Sequence, residues 1–187
     1  MTNIKIVPLP KEKWEGFIVH IDYTTNEYYD VCTNKQENGF SISIEKKSLP
    51  IPITHTSKEY DFPDRLYSKY FPDAQAYGIL EEGQKLVATI EISPEEWSNR
   101  LRITELWVGE QLRRKGIGHA LMEKAKEQAR KQKRRAIILE TQTCNVNAIG
   151  FYLHEGFTLI GFDTCCYSNH DIERKEVRFE MGYFLTD

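Results

Sequence analysis

Between a strand-like run at 101–108 and a run at 119–132, whose residues Leu121, Met122, Ala125 and Ala129 recur at helical spacing, lie ten residues that end in Arg113-Arg114-Lys115-Gly116-Ile117-Gly118. A strand that enters a basic, glycine-bearing turn and leaves it as a helix predicts an anion cradle. The first amides of a helix have no partner inside it and carry partial positive charge. Gly116 and Gly118 let the backbone approach a phosphate with no Cβ in the way, while Arg113, Arg114 and Lys115 add charge at the rim. Pyrophosphate is the natural ligand of such a turn. A nucleotide-hydrolysing P-loop is disfavoured, because His119 and Ala120 follow Gly118 where Lys and Ser or Thr are needed. A dinucleotide fingerprint is disfavoured too. Leu121 stands where a third Gly or Ala belongs, and although Glu140 ends the next strand, the preceding segments read as hairpins rather than as a β-α-β unit.

Around this turn the chain alternates strands and helices. Residues 4–7, 17–23 and 40–44 carry strand-like alternation, and 46–72, with Pro50, Pro52, Pro63 and Pro72, reads as a flexible segment suited to a substrate-side loop. Segments 77–80 and 86–92 flank a short loop with Gly83 and predict a β-hairpin. Lys131, Lys133, Arg134 and Arg135 end the 119–132 helix, where positive charge complements the carbonyl end of the helix dipole. A buried strand at 136–140 follows, then a short helix at about 147–154 stopped by Gly156 and a strand beginning at Phe157. In the last run, Val177, Phe179, Met181 and Tyr183 alternate with Arg178 and Glu180. The predicted class is α/β with a mixed sheet.

Composition narrows the function. A chain of 187 residues with 40% hydrophobic content supports one sizeable core, so a single domain over 1–187 is expected. A formal net charge of -3 leaves no whole-molecule basic field to hold a polyanion, which argues against nucleic acid as a partner. Cys32, Cys144, Cys165 and Cys166 include no C-x-x-C pair, the usage of a reduced protein. The start of the chain lacks a secretory pattern and no run approaches the roughly 18 apolar residues of a membrane span, so a cytoplasmic location and no membrane partner are expected. The five histidines are widely spaced, with no i, i+4 pair near a third ligand, and no metal is expected.

Arg113-x-x-Gly116-x-Gly118 between a strand ending in Val108 and a helix, followed by a strand and then Asn145-Val-Asn-Ala148-Ile-Gly-Phe-Tyr152-Leu-His-Glu-Gly156-Phe157, resembles the GNAT superfamily of N-acetyltransferases. The resemblance covers about 77–160. The runs 138–145 and 156–163 look like its streptothricin acetyltransferase branch. The resemblance implies a mostly antiparallel mixed sheet, splayed at its centre between the strands at 101–108 and 136–140 and flanked by helices. It also implies acetyl-CoA as co-substrate and direct transfer of acetyl to the primary amine of a small molecule, streptothricin or a related antibiotic. The superfamily further allows a homodimer through the final strands.

By the same resemblance, the backbones of Leu106, Trp107 and Val108 would hydrogen-bond pantetheine, one of their amides would polarise the thioester carbonyl, and the amides from Arg113 through Ile117 to Gly118 would hold the pyrophosphate. Asn145 would bond pantetheine or orient its helix, with Asn147 as the helix cap. Tyr152 would donate a proton to the departing thiolate. An alkylammonium, with a pKa of about 10.4, must lose a proton before it attacks. Glu105 is the candidate base, against the reading of a strand carboxylate paired or solvated, and Glu91 on the preceding strand is the other carboxylate. Cys144, alone in sequence without a defined basic partner, reads as inert packing. Asp61, Asp64, Asp73, Asp163 and Asp171 fall where loop carboxylates could attract a polycationic amine. A non-catalytic acyl-CoA sensor and a protein or polyamine acetyltransferase are the competing readings.

Overall fold

The structure, a computed structural model, describes residues 5–56, 63–81 and 84–185. Residue 4 of the first predicted strand, residues 57–62 of the predicted flexible segment, Asp61 among them, and Gly83 lie outside the described residues. In chain order the elements are β1 (Val7–Leu9), α1 (Lys11–Trp14), β2 (Tyr23–Gln36), β3 (Gly39–His55), β4 (Gln75–Leu80), β5 (Leu86–Glu95), β6 (Arg100–Val108), α2 (Ile117–Lys131), β7 (Ala136–Gln142), α3 (Val146–His154), β8 (Thr158–Asp163), α4 (Asp171–Arg174) and β9 (Arg178–Phe184). The chain divides into two compact units, Met1–Ile21 with Thr56–Leu139 and Tyr183–Asp187, and Asp22–His55 with Glu140–Gly182.

The first unit is built on strands in the order β1-β4-β5-β6-β7. All neighbours are antiparallel except β6 and β7, which run parallel. The predicted hairpin is β4–β5. Residues Leu86 to Ser93 of β5 are buried without alternation, as expected of a central strand covered on both faces. Helix α2 packs on β5 and β6 and presents the predicted stripe, with Leu121, Met122, Ala125 and Ala129 all fully buried. Leu9, Trp14, Val19, Leu66, Tyr67, Ala76 and Leu86 form a further cluster, against which the Trp107 ring packs.

Two local devices shape β6. Its register with β5 shifts: Ile92 faces Ile103 and Glu91 faces Glu105, so Thr104 is an extra residue on β6. Such a bulge bends its strand and raises the local twist. With β7, β6 is paired only at Arg100, Leu101 and Arg102, opposite Ala136, Ile137 and Ile138. Among the described residues, then, β6 beyond the bulge has no paired register with β7. This is the predicted central splay, and it opens beside the bulge.

In the second unit β2 and β3 form a long antiparallel hairpin, β8 pairs antiparallel with β9, and α3 packs on β2. This corrects the reading of the N-terminal third. The predicted strand at 17–23 is instead an irregular segment with one bridge, Ile18 to Arg65, and β2 begins only at Tyr23. The predicted flexible segment starts too early, because 46–55 belongs to β3. Pro50 and Pro52 cannot donate to a ladder. The hairpin meets this with a register jump, from Thr25 opposite Ile53 to Glu27 opposite Ser48. From 63 to 74 the chain has no regular strand or helix, yet Leu66 and Tyr67 are buried in the core cluster, which corrects the reading of a flexible loop there.

Candidate functional site

Past the bulge, Glu105, Leu106, Trp107 and Val108 are half-buried. In an antiparallel pair, alternate residues turn their N–H and C=O away from the partner strand. Half of the peptide groups of this stretch therefore point away from β5, on the side where the β7 register has ended. A backbone edge of this kind binds an extended ligand as an added strand would. The Gly109 amide donates to the Val87 carbonyl, so by alternation Leu106 and Val108 turn their peptide groups outward, while Trp107 faces Thr89 and its side chain packs on the apolar cluster.

The chain then turns through a short 3-10 segment, Glu110–Leu112, and two left-handed residues, Arg114 at φ 60° and Gly116 at φ 78°. Gly116 is the N-cap of α2. Having no side chain, it leaves the first-turn amides of a 15-residue helix uncapped by the residue that usually caps them. The positive φ is what requires glycine here. No heavy atom lies within 4 Å of where a Cβ would stand, so packing does not forbid one. Arg113, Arg114 and Lys115 are exposed and, among the described residues, form no ion pair. Arg113 Nε donates to the Val108 carbonyl at 3.2 Å, tying the turn to the end of β6. Ile117 is buried, so its amide rather than its side chain is what it offers.

Behind the bulge lies Glu91, with no solvent exposure. Its Oε1 accepts the Thr104 hydroxyl at 2.8 Å and its Oε2 accepts the Tyr67 amide at 2.6 Å. Burial pushes its carboxyl above the ordinary range, against the opposing pull of these hydrogen bonds. With an acceptor bond already on each oxygen and no access to solvent, Glu91 is poorly placed to take a proton from a substrate. Glu105 remains the candidate base on this strand.

In the second unit, Asn145 is the N-cap of α3, its Oδ1 accepting the Ala148 amide at 3.3 Å. Asn147, expected as the cap, is the second residue of the helix and is exposed. Tyr152 is buried on α3, edge-on to Phe151 at 5.6 Å between ring centroids and 6.1 Å from Phe157. Cys144 does have a basic partner, contrary to the reading from sequence. His55 Nε2 lies 3.5 Å from its sulfur and the Tyr23 hydroxyl 3.2 Å, while Glu176 Oε1 is 3.3 Å from His55 Nδ1. The thiol is still no nucleophile, because burial pushes it up to about 11. Two of the loop acids are also committed. Asp171 is fully buried and accepts from the Tyr167 amide and the Ser168 hydroxyl, and Asp163 accepts the Cys165 amide.

Residues 43–157 match the family described as Acetyltransferase (GNAT) family. The chain belongs to this family. As a GNAT enzyme it is an acetyl-CoA-dependent acetyltransferase, and the open backbone edge of β6 together with the α2 turn fits an extended thiol arm ending in a pyrophosphate. It is 31% identical to streptothricin acetyltransferase of Escherichia coli over 181 residues, 97% of this chain and 96% of that protein. It is 30% identical to streptothricin acetyltransferase A of Bacillus subtilis (strain 168) over 134 residues, 71% and 74% of the two chains. Among solved structures, that of nourseothricin acetyltransferase superposes with a TM-score of 0.77 at 24% identity, covering 99% of this chain and 100% of the other, and so shares the fold.

Sequence reasoning passed over Thr104 and Tyr67 altogether. Thr104 had no distinguishing motif, since the bulge that singles it out exists only once β5 and β6 are paired. Tyr67 was hidden in a segment read only by its prolines.

Proposed function

We propose that this GNAT enzyme transfers the acetyl group of acetyl-CoA to a primary amine of streptothricin. The observation that carries the reading is the 31% identity to the Escherichia coli streptothricin acetyltransferase, which runs through both units and nearly the full length of both proteins. Acetyl-CoA supplies an activated thioester. The chain supplies position and proton transfer. The β6 edge at Leu106, Trp107 and Val108 holds the pantetheine arm and directs an amide at the carbonyl, and the amides from Arg113 to Gly118 hold the pyrophosphate. Glu105 takes the proton that the acceptor ammonium must lose, Tyr152 returns one to the departing thiolate, and Asn145 holds the start of α3. Alignment of the two substrates accounts for much of the rate, with no covalent enzyme intermediate.

The test is thiol release from acetyl-CoA across a panel of streptothricin, aminoglycosides, spermidine and a lysine peptide, with products read by mass spectrometry. Turnover of streptothricin with gain of one acetyl group, and little on the rest, is the expected result. Turnover confined to spermidine or the peptide would replace the acceptor. Tyr152→Phe is expected to lower kcat while leaving acetyl-CoA affinity in place; an unchanged rate removes Tyr152 from the mechanism.

A further inference from the structure

Glu91 is a carboxylate buried at a cost that its surroundings do not require. The Tyr67 amide could be satisfied by a neutral side chain, and an ionised group inside a core is expensive to keep. What a carboxylate alone provides is acceptance at both oxygens, with no hydrogen to give. Facing it, the Thr104 hydroxyl must be the donor, at 2.8 Å, which holds the threonine rotamer. Thr104 is the extra residue of the bulge, and Glu105 follows it directly. On the other oxygen sits the amide of Tyr67, a non-glycine residue at φ 58°. The phenol of the same residue donates to the Leu9 carbonyl and accepts the Ala76 amide at 3.1 Å. One carboxylate thus joins the bulge of β6 to the irregular 63–74 segment, which is itself anchored to β1 and β4.

We propose that Glu91 is a positioning residue: it locks Thr104 as a hydrogen-bond donor, so that the bulge holds Glu105 and the amides after it in one geometry, and it ties that geometry to the 63–74 segment through Tyr67. The role rests on the acetyltransferase reading for its kinetic consequence, but the mechanical coupling does not depend on the acceptor. Glu91→Gln keeps an acceptor for Tyr67 while its amide hydrogens free the Thr104 hydroxyl to turn. Glu91→Gln is close to isosteric, so it conserves the packing of the buried site.

The experiment compares the full-length enzyme with Glu91→Gln, Thr104→Val and Thr104→Ser under steady-state conditions with acetyl-CoA and streptothricin. Glu91→Gln and Thr104→Val are expected to lower kcat by at least about tenfold, the scale of a sub-ångström misplacement of reacting groups, with a smaller rise in the KM for acetyl-CoA as the pantetheine-binding amides shift with Glu105. Thr104→Ser, which keeps the hydroxyl, restores most of the rate. The double variant Glu91→Gln/Thr104→Val is no slower than the worse single one, because both break the same link. A kcat within about twofold of wild type in both single variants overturns the proposal. Should the wild-type enzyme leave streptothricin untouched, the acceptor assignment fails separately, and amide hydrogen exchange decides the coupling. Faster exchange in Thr104→Val at both Tyr67 and residues 105–108 upholds it, and unchanged exchange at either segment overturns it.

Discussion

Replacing Gly116 by alanine separates the conformation of the β6–α2 turn from its packing. The glycine sits at φ 78°, ψ 1°, and a Cβ there meets no heavy atom within 4 Å. Steric overlap with neighbours therefore contributes nothing, and the cost is that of a left-handed L-residue, about 1–2 kcal/mol. Loss of unfolded-state freedom offsets about 0.4–1 kcal/mol of this. The net loss of stability is about 1 kcal/mol if the turn keeps its shape, or about 2–4 °C in melting temperature for a chain of this size. Nothing packs on the position to enforce the strained conformation, so the turn is expected to relax instead. Stability then changes by less than about 1 kcal/mol, and the first-turn amides of α2 lose their aim. An amide hydrogen bond to a charged oxygen contributes about 1.5–3 kcal/mol, so acetyl-CoA affinity should fall by at least about tenfold. Titration calorimetry with acetyl-CoA and with acetyl-pantetheine, which lacks the pyrophosphate, reads the difference. Weaker binding of acetyl-CoA alone is the expected result. Equal weakening of both ligands, or of neither, would refute the assignment of the turn as the pyrophosphate cradle.

Two further outcomes follow from the electrostatics. Thiol labelling of the native protein at about pH 8 should modify exposed Cys32 and Cys165 well before buried Cys144, even though the hydrogen bond to Asp163 raises the Cys165 thiol. Cys144, buried and pushed up to about 11, should label only after unfolding; rapid native labelling of its peptide would contradict the packing described. Burial alone would raise the Glu95 carboxyl, but hydrogen bonds from Arg102 at 2.7 Å and Arg100 at 2.6 Å outweigh it and hold the group below the ordinary range. A depressed folded pKa contributes stability above the unfolded value that is lost as pH falls through the folded one. The melting temperature of wild type should therefore exceed that of Glu95→Gln near neutrality, and the gap should close below about pH 4. A gap independent of pH would remove the ion pairs as its source.

Much of the fold was legible because its signals are local. The stripe Leu121, Met122, Ala125, Ala129 needs only the helical repeat to be recognised, and those residues are the buried face of α2. The same holds for Val177, Phe179 and Met181, which are buried as their alternation predicts. The N-terminal third was misread where local rules conflict. Pro50 and Pro52 suggested a loop, yet the hairpin absorbs both in one register jump and continues to His55. At the site, the glycines and basic residues of 113–118 were visible because a turn, a cap and a rim of charge lie within a few consecutive residues.

The sequence by itself determined the helical and strand repeats, the glycine-bearing turn ahead of α2, and the paired motifs that mark the family, because each depends on neighbours within one or two turns of chain. Tertiary structure alone decided which side chains meet across strands. Glu91 and Thr104 are 13 residues apart and Glu91 and Tyr67 are 24. Cys144 and His55 are separated by 89. Such contacts are set by strand register, where a shift of one residue exchanges the two faces of a strand, and a single bulge at Thr104 is enough to choose which groups stand behind Glu105.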